Sequence, residues 1–317
     1  MKPLLILAKS ETRWPAVESL LEHEERIWLD DLRRRLVDGI PKTRDAFAMV
    51  PDGAQARGCG CIRRSHEIGV LGHLYIRPEH RTRGMARSLM QALLSWFDVT
   101  GGKWLYLTCP AELAGGLFEH FGFRLLGDAA SDRTRVTMLR TLGHAPESPF
   151  TKLGGPQQVR DVARADWPQL VALLKHHAGA DPRQSLADSA LQAETTALEL
   201  ITQQEQEACR LVAAARRDRI IGLGSLAANQ SGHRTYAMLL PHDNPPEGLR
   251  AALLEAARVQ NYEQVDFPME ALAEGAREAE PEAQARETAG EGSRDQGSEG
   301  SREAAEPEAQ ARGQSEP

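Results

Sequence analysis

The sequence predicts an α/β (α+β) protein with a mixed, mostly antiparallel central sheet flanked by helices, and it predicts that this unit is duplicated. Three observations carry the expectation. Short apolar, β-type runs alternate with longer amphipathic stretches from Leu4 to Arg140. Two of the runs, Ala46–Val50 and Gly58–Arg63, flank the turn Pro51-Asp52-Gly53, which makes them antiparallel neighbours. Three local patterns also recur in the same order. Trp14-Pro15-Ala16-Val17-Glu18-Ser19-Leu20-Leu21 returns as Trp167-Pro168-Gln169-Leu170-Val171-Ala172-Leu173-Leu174. Gly58-Cys59-Gly60-Cys61-Ile62 returns as Gly222-Leu223-Gly224-Ser225-Leu226, and Pro78 followed by Gly84 returns as Pro241 followed by Gly248.

In chain order, Leu4–Ala8 reads as a strand and Trp14–Leu36 as a helix with proline in its first turn, where a missing N–H costs little. After the hairpin come a longer strand, Ile68–Arg77, and a helix, Gly84–Phe97. That helix carries Ala86, Leu89, Met90, Leu93, Leu94 and Phe97 on one stripe and is ended by Gly101-Gly102. Trp104–Thr108 is a strand, Ala111–His120 a short helix and Arg135–Arg140 a last strand. The expected domains are residues 1–143, a linker at 144–156, a second domain at 157–270 and a disordered acidic tail at 271–317. The tail has Thr288 as its single β-branched residue and no aromatic, so it cannot bury enough apolar surface to offset chain entropy. Within it, Arg277 to Arg286 returns as Arg302 to Arg312 with one extra alanine.

Composition narrows the function classes. The chain has 317 residues and a net charge of −7, all of which resides in the tail, with its twelve acidic and five basic residues. The rest is balanced and shows no basic stripe with interleaved aromatics, so no nucleic-acid partner is expected. No apolar run approaches the ~20 residues that span a bilayer, so no membrane partner is expected. The opening apolar run is too short for a secretory core and reads as a strand. Cys59, Cys61, Cys109 and Cys209 fit neither a zinc ribbon nor a disulfide framework. They read as core thiols of a cytoplasmic protein without a metal.

The stretch with chemical content is Leu74-Tyr75-Ile76-Arg77-Pro78-Glu79-His80-Arg81-Thr82-Arg83-Gly84-Met85-Ala86-Arg87, a strand, a basic turn and a helix start. A helix N-terminus offers unpaired N–H groups and partial positive charge, which suits a pyrophosphate. Gly84 and Ala86 let a phosphate approach, and Arg81, Arg83 and Arg87 add charge. A Walker loop is absent, and a dinucleotide fingerprint would need three glycines.

This stretch resembles the GNAT superfamily of N-acetyltransferases. The family's phosphate signature, Gln/Arg-x-x-Gly-x-Gly/Ala, is matched by Arg81-x-x-Gly84-x-Ala86, with Leu74-x-Ile76-x-Pro78 before it. Leu117-Phe118-Glu119-His120-Phe121-Gly122-Phe123 is similar to the second signature, usually Leu-Tyr-Glu-Lys-x-Gly-Phe. The resemblance covers about Leu4 to Arg140. It implies that Leu74, Tyr75 and Ile76 pair with pantetheine, that Thr82, Arg83, Gly84, Met85, Ala86 and Arg87 cradle the pyrophosphate of acetyl-CoA beside Arg81, and that Phe118 borders the cofactor. The implied reaction is acetyl transfer to an amine of a small molecule or peptide. A homodimer stays open.

The proton-transfer groups depart from the family pattern. Counting in twos from Ile76 puts Leu74, Gly72 and Val70 on one face of a regular strand, so the usual base positions fall on Gly72 and Val70. The usual tyrosine acid falls on Phe118, and the usual asparagine on Ala111. His73 is the leading candidate base if a bulge re-aims it. Tyr106 and Cys109 follow, while His120 reads as exposed and the pair His176-His177 ends a helix, where a cation is favourable and needs no catalytic role. The second copy has no arginine at the first signature position, Pro245 and Pro246 in the turn, Arg250 where a small residue is required, and no second signature. It is expected not to bind CoA, and to cover a sheet edge or shape the acceptor pocket. A non-catalytic acyl-CoA sensor or scaffold is the alternative reading.

Overall fold

Strands β1 (Leu4–Ile6), β2 (Arg44–Asp52), β3 (Gln55–Ser65) and β4 (Ile68–Ile76) pair antiparallel in sequence order. β5 (Trp104–Pro110) joins β4 in parallel, and β6 (Arg124–Leu125) and β7 (Arg135–Thr141) complete a seven-stranded sheet ordered β1-β2-β3-β4-β5-β7-β6. The computed structural model describes residues 2–7, 9–126, 134–151, 153–177, 186–228, 235–241, 246–260 and 265–266. The acidic tail at 271–317, with its internal near-repeat, and residues 242–245 of the second turn lie outside them. Among the described residues no helix is long and apolar enough to cross a membrane.

The helices follow the apolar pattern with some corrections. The stretch expected as one helix, Trp14–Leu36, is two, α1 (Trp14–Leu20) and α2 (Arg26–Arg33), followed by a π-helical turn, Arg34–Asp38. The break falls at Glu22-His23-Glu24-Glu25, which has no apolar side chain to hold a turn against the sheet. α1 and α2 lay Trp14, Val17, Leu20, Leu29 and Leu32 on Phe47, Met49, Cys59 and Cys61. The two cysteines share that face, as their spacing predicts. Helix α3 (Met85–Val99) buries Leu89, Met90, Leu93, Leu94 and Phe97 against the other face, on Ala46, Ala48, Ile62, Leu71, Leu105 and Leu107. The expected helix Ala111–His120 is α4 (Ala111–Leu113), widening into a π turn, Ala114–Phe118, and a 3₁₀ turn, Glu119–Phe121.

The second sheet holds β8 (Gln157–Asp161), β9 (Cys209–Arg216), β10 (Arg219–Ala228), β11 (Thr235–Leu240) and β12 (Val265–Asp266), side by side in that order. Pairing is antiparallel up to β11 and parallel between β11 and β12. α5 (Trp167–His177) and α6 (Leu186–Glu205) lie between β8 and β9, and α7 (Leu249–Val259) between β11 and β12. The order β-α-α-β-β-β-α-β and every strand sense match the first eight major elements of the chain. α1 and α5 both open on Trp-Pro. α3 and α7 are both capped by a left-handed glycine, Gly84 at φ 72° and Gly248 at φ 79°.

The two sheets share a core. Trp167, Leu170, Val171, Ala172 and Leu173 of α5 are all at most 4% exposed, so this helix is apolar around most of its circumference. One side meets Ile68, Val70, Trp104, Tyr106 and Leu139 of the first sheet, and the other meets Leu211, Ala213, Ile220 and Leu223 of the second. A buried ionic cluster sits beside it. Asp31 lies 2.7 Å from Arg164, 3.3 Å from Arg63 and 3.8 Å from Arg35, while Arg35 also meets Asp45 and Arg164 meets Glu205. Three guanidiniums thus face three carboxylates. Burial pushes the Asp31 carboxyl up, but Arg63, Arg35 and Arg164 together outweigh it and hold it below its ordinary value.

Two outcomes follow from this interface. Leu170→Ala removes a side chain touching both sheets and should cost about 2–5 kcal/mol in urea unfolding, with both halves lost in one transition. Asp31→Ala leaves buried guanidiniums uncompensated and should cost ~3–5 kcal/mol. Because the folded pKa of Asp31 is depressed, its contribution is complete above the unfolded value of about 4 and is lost as pH falls through the folded one. The stability difference between wild type and Asp31→Ala should therefore narrow progressively as pH falls below about 4.

Candidate functional site

The site begins with a register shift. β3 pairs with β4 as Cys59↔Tyr75 and then Cys61↔Gly72, so two residues of β4, His73 and Leu74, oppose the single residue Gly60. This is a β-bulge, and His73 occupies it with φ 52°, left-handed for a side chain that tolerates that region better than most. The bulge corrects the face assignment of a regular strand. Gly72 and Val70 pair opposite Cys61 and Arg63, so they lie on the α2 side with Tyr75, away from Ile76 and Leu74.

On its other edge β4 is released. It pairs with β5 only at Ile68↔Trp104, Gly69↔Leu105 and Val70↔Tyr106, after which β5 follows β7 along its whole length. From Leu71 to Ile76 this edge of β4 therefore faces a gap. Unpaired strand groups there are available to an extended ligand.

The strand leads into the basic turn and then α3. Gly84 is its left-handed cap, and a Cβ built on it would meet nothing within 4 Å, so the space over the helix start is open. Thr82 is left-handed too, at φ 62°. Arg81, Thr82, Arg83 and Arg87 are exposed, Ala86 is half-buried and Met85 is buried under the turn. Arg81 donates from Nε to the carbonyl of Ile76 at 3.2 Å and lies 6.0 Å from the Tyr75 ring, which ties the turn to the end of β4. Met85, Ala86 and Arg87 open the helix, and their N–H groups have no carbonyl a turn earlier to bind.

A cavity of about 460 Å³ lies where β4 leaves β5. Its walls include Glu24 and Trp28, residues Val70 to His73, Thr108 and Arg135, and, from the second half, Trp167, Gln192, Glu194 and Thr195. A Cβ on Gly72 would meet nothing, so Gly72 keeps this space open. His73 Nδ1 lies 3.2 Å from Glu24 Oε1, and the ring stands edge-on to Trp28 at 5.4 Å. That hydrogen bond, against the opposing effect of burial, holds the Glu24 carboxyl below its ordinary value. At the floor, Lys175 donates to Thr108 Oγ1 at 2.7 Å and pairs with Glu194 at 3.1 Å. Burial pushes the Lys175 ammonium down while Glu194 pulls it back up.

The other candidates fare differently. Tyr106 is fully buried, and its hydroxyl is 2.8 Å from His176 Nε2 on α5. Burial drives its pKa up, so it is a strut between the halves. Cys109 points to the α3 face beside Met138, and burial raises its thiol to about 11. Phe118 is core, edge-on to Phe123 at 6.0 Å, with 4% exposure. His120 is exposed, and the side chain of His177 lies outside the described residues. Glu24, Trp28 and Glu194 were not singled out by the sequence. Among the described residues no group of three or more His, Cys, Asp or Glu is placed to hold a metal ion.

Residues 44–125 match the acetyltransferase (GNAT) domain family. Among solved structures the chain is similar to an acetyltransferase from Streptococcus agalactiae 2603, at 13% identity over 45% of this chain and 99% of that one, with a TM-score of 0.36. It is similar to Escherichia coli ElaA at 17% identity, over 44% of this chain and 99% of that one, with a TM-score of 0.36. It is also similar to the ribosomal-protein-S18-alanine N-acetyltransferase of Escherichia coli, at 15% identity over 46% and 97%, with a TM-score of 0.37. No curated protein matches. The matched stretch is the one that holds β2 to β6, the bulge and the basic turn.

Proposed function

We propose that this chain is an N-acetyltransferase that moves an acetyl group from acetyl-CoA to an amine of a small molecule or peptide. The observation that carries the reading is the release of β4 from β5 beside a bulged histidine, one turn before a helix capped by a left-handed glycine. The residues present fit the cofactor. The free edge of β4 at Leu74–Ile76 suits the amides of a pantetheine arm, and the open N-terminus of α3 with Arg81, Arg83 and Arg87 suits a pyrophosphate. Acetyl-CoA supplies the activated thioester.

His73 is the base in this reading. Glu24 is ionised at neutral pH and can only accept, so the proton between them belongs to His73 Nδ1, and in the neutral imidazole Nε2 then carries the lone pair. Nε2 takes the proton that an acceptor ammonium must lose before its nitrogen can attack the thioester carbon. Glu24 fixes the tautomer and steadies the imidazolium that forms. Glu194 and Trp167 line the same cavity, so the second half helps to shape the acceptor pocket.

We read residues 1–143 as the acetyltransferase domain, 144–156 as the linker and 157–270 as a degenerate copy. The matching element order, strand senses and glycine caps support this. The degenerate turn before Gly248, with Glu247 and Arg250, argues against a second CoA site. A non-catalytic acyl-CoA sensor is the alternative, favoured by Phe118, a buried ring without a hydroxyl where the family keeps its acid.

Thioester turnover with release of free thiol, measured across a panel of amines, separates the two readings. Gly84→Glu adds bulk, charge and a strained φ at the helix start, and should abolish acetyl-CoA binding by calorimetry without unfolding the protein. His73→Ala should lower kcat by about 10²–10⁴ with acetyl-CoA affinity kept. Glu24→Gln should follow it in the same direction, and Tyr106→Phe should leave kcat unchanged. Verified CoA binding with no turnover on any amine would favour the sensor.

A further inference from the structure

A cavity of about 870 Å³ lies at the opposite end of β4 from the basic turn. Ile68, the first residue of β4, lines it, whereas Ile76 leads to the turn, so roughly 25 Å of strand separates the two places. The cleft lies between the halves, with the β3–β4 turn on one side and the β9–β10 turn on the other. Its volume is that of a small-ligand site.

Its charge is lopsided. Lys42, Arg44, Arg64, Lys103, Arg217 and Arg219 line it, against two carboxylates, Glu67 and Asp218. Glu67 is already shared by Lys103 at 2.5 Å and Arg219 at 2.6 Å. Lys42, Arg44, Arg64 and Arg217 have no ion pair among the described residues. Two of the four are forced together, since Arg44 and Arg64 are directly opposed across the β2–β3 ladder, where like charges destabilise. Arg64 is 4% exposed, donates from Nη1 to the Thr100 carbonyl at 2.6 Å, lies over the Trp96 ring at 5.9 Å, and keeps a buried Nε with no partner. Burial, and then Arg44, push its pKa down. A fold that opposes two cations and buries an unsatisfied guanidinium nitrogen at the wall of a cleft gains by binding an anion there.

We propose that this cleft is a second ligand site for a small phosphoryl-bearing anion, of the di- or triphosphate class, distinct from the acyl-transfer site. Arg44, Arg64 and Arg217 bind the phosphoryl oxygens, and Lys42 adds charge at the mouth. The proposal does not rest on the acetyltransferase reading.

The test is calorimetric titration of the full-length protein with inorganic triphosphate, and separately with ATP, at about 50 mM salt where screening is weak. Saturable binding of triphosphate is expected. Equal affinity for ATP would mark a site that reads phosphate alone, and tighter ATP binding a nucleotide site; both support the proposal. Arg44→Glu should weaken triphosphate at least about tenfold, and Arg217→Ser should act in the same direction. Arg44→Glu should meanwhile keep or raise the Tm of the unliganded protein, because it replaces a like-charge cross-strand pair by an opposite one. Arg44→Gln, which only removes the charge, should also weaken binding. Triphosphate binding should survive Gly84→Glu. Failure of wild type to bind either anion, undiminished binding by the Arg44 variants, a lowered Tm in Arg44→Glu, or loss of binding in Gly84→Glu would each overturn the proposal.

Discussion

A strand hydrogen-bonded along both edges has no free groups to offer, and β4 escapes that condition in two steps. β5 stays with it for three residue pairs and then turns away to β7, which frees one edge from Leu71 onward. On the other edge, one extra residue opposite Gly60 breaks the alternation with β3. The first step makes a gap and the second decides which side chains look into it. Without the bulge, Gly72 would face α3 and its missing side chain would open nothing. With it, Gly72 leaves space in the cavity and His73 reaches Glu24 from a backbone conformation that most side chains avoid. The surrounding sheet and the contacts to Glu24 and Trp28 hold that conformation in place.

Helix α5 imposes the second constraint. A helix this apolar needs partners on both sides, and it finds one sheet on each. Its polar residues become internal fittings. Gln169 donates to Ser65 of the first half and accepts from the Ile220 amide of the second. His176 meets Tyr106, and Lys175 meets Thr108. Trp167 stacks under Arg63 at 4.9 Å and also lines the cavity. One wall residue of the candidate acceptor pocket, Trp167, therefore comes from the same helix that joins the sheets. This couples what the second half packs against to what it exposes.

Much of this was legible in the sequence, for identifiable reasons. The hairpin through Pro51-Asp52-Gly53, the stripe from Leu89 to Phe97 and the turn ending at Gly84 are local patterns, set by residues near one another in the chain. The single helix expected for Trp14–Leu36 was misread because its apolar spacing survives the break at Glu22 to Glu25. The strand faces at Gly72 and Val70 were misread because a bulge has no signature of its own; only the register with β3 reveals it. Tyr106 and Cys109 lie on the expected strand, yet the first is spent on His176 and the second faces α3. Glu194, Trp167 and Lys175 could not be assigned to the pocket, because their approach depends on how the halves pack: Lys175 lies 67 residues and Glu194 86 residues beyond Thr108.

The sandwiched position of α5 also bears on how the chain is made. The first sheet is complete once Thr141 has been synthesised, yet Ile68, Val70, Trp104 and Tyr106 then lack the α5 side chains that share their core. Their cover arrives only with Leu170 to Leu173, a delay on the order of seconds during translation. In that interval a nascent chain carries a wide apolar face, the kind of surface that holding chaperones occupy, and a ribosome stalled between the two sheets would release a fragment prone to clump.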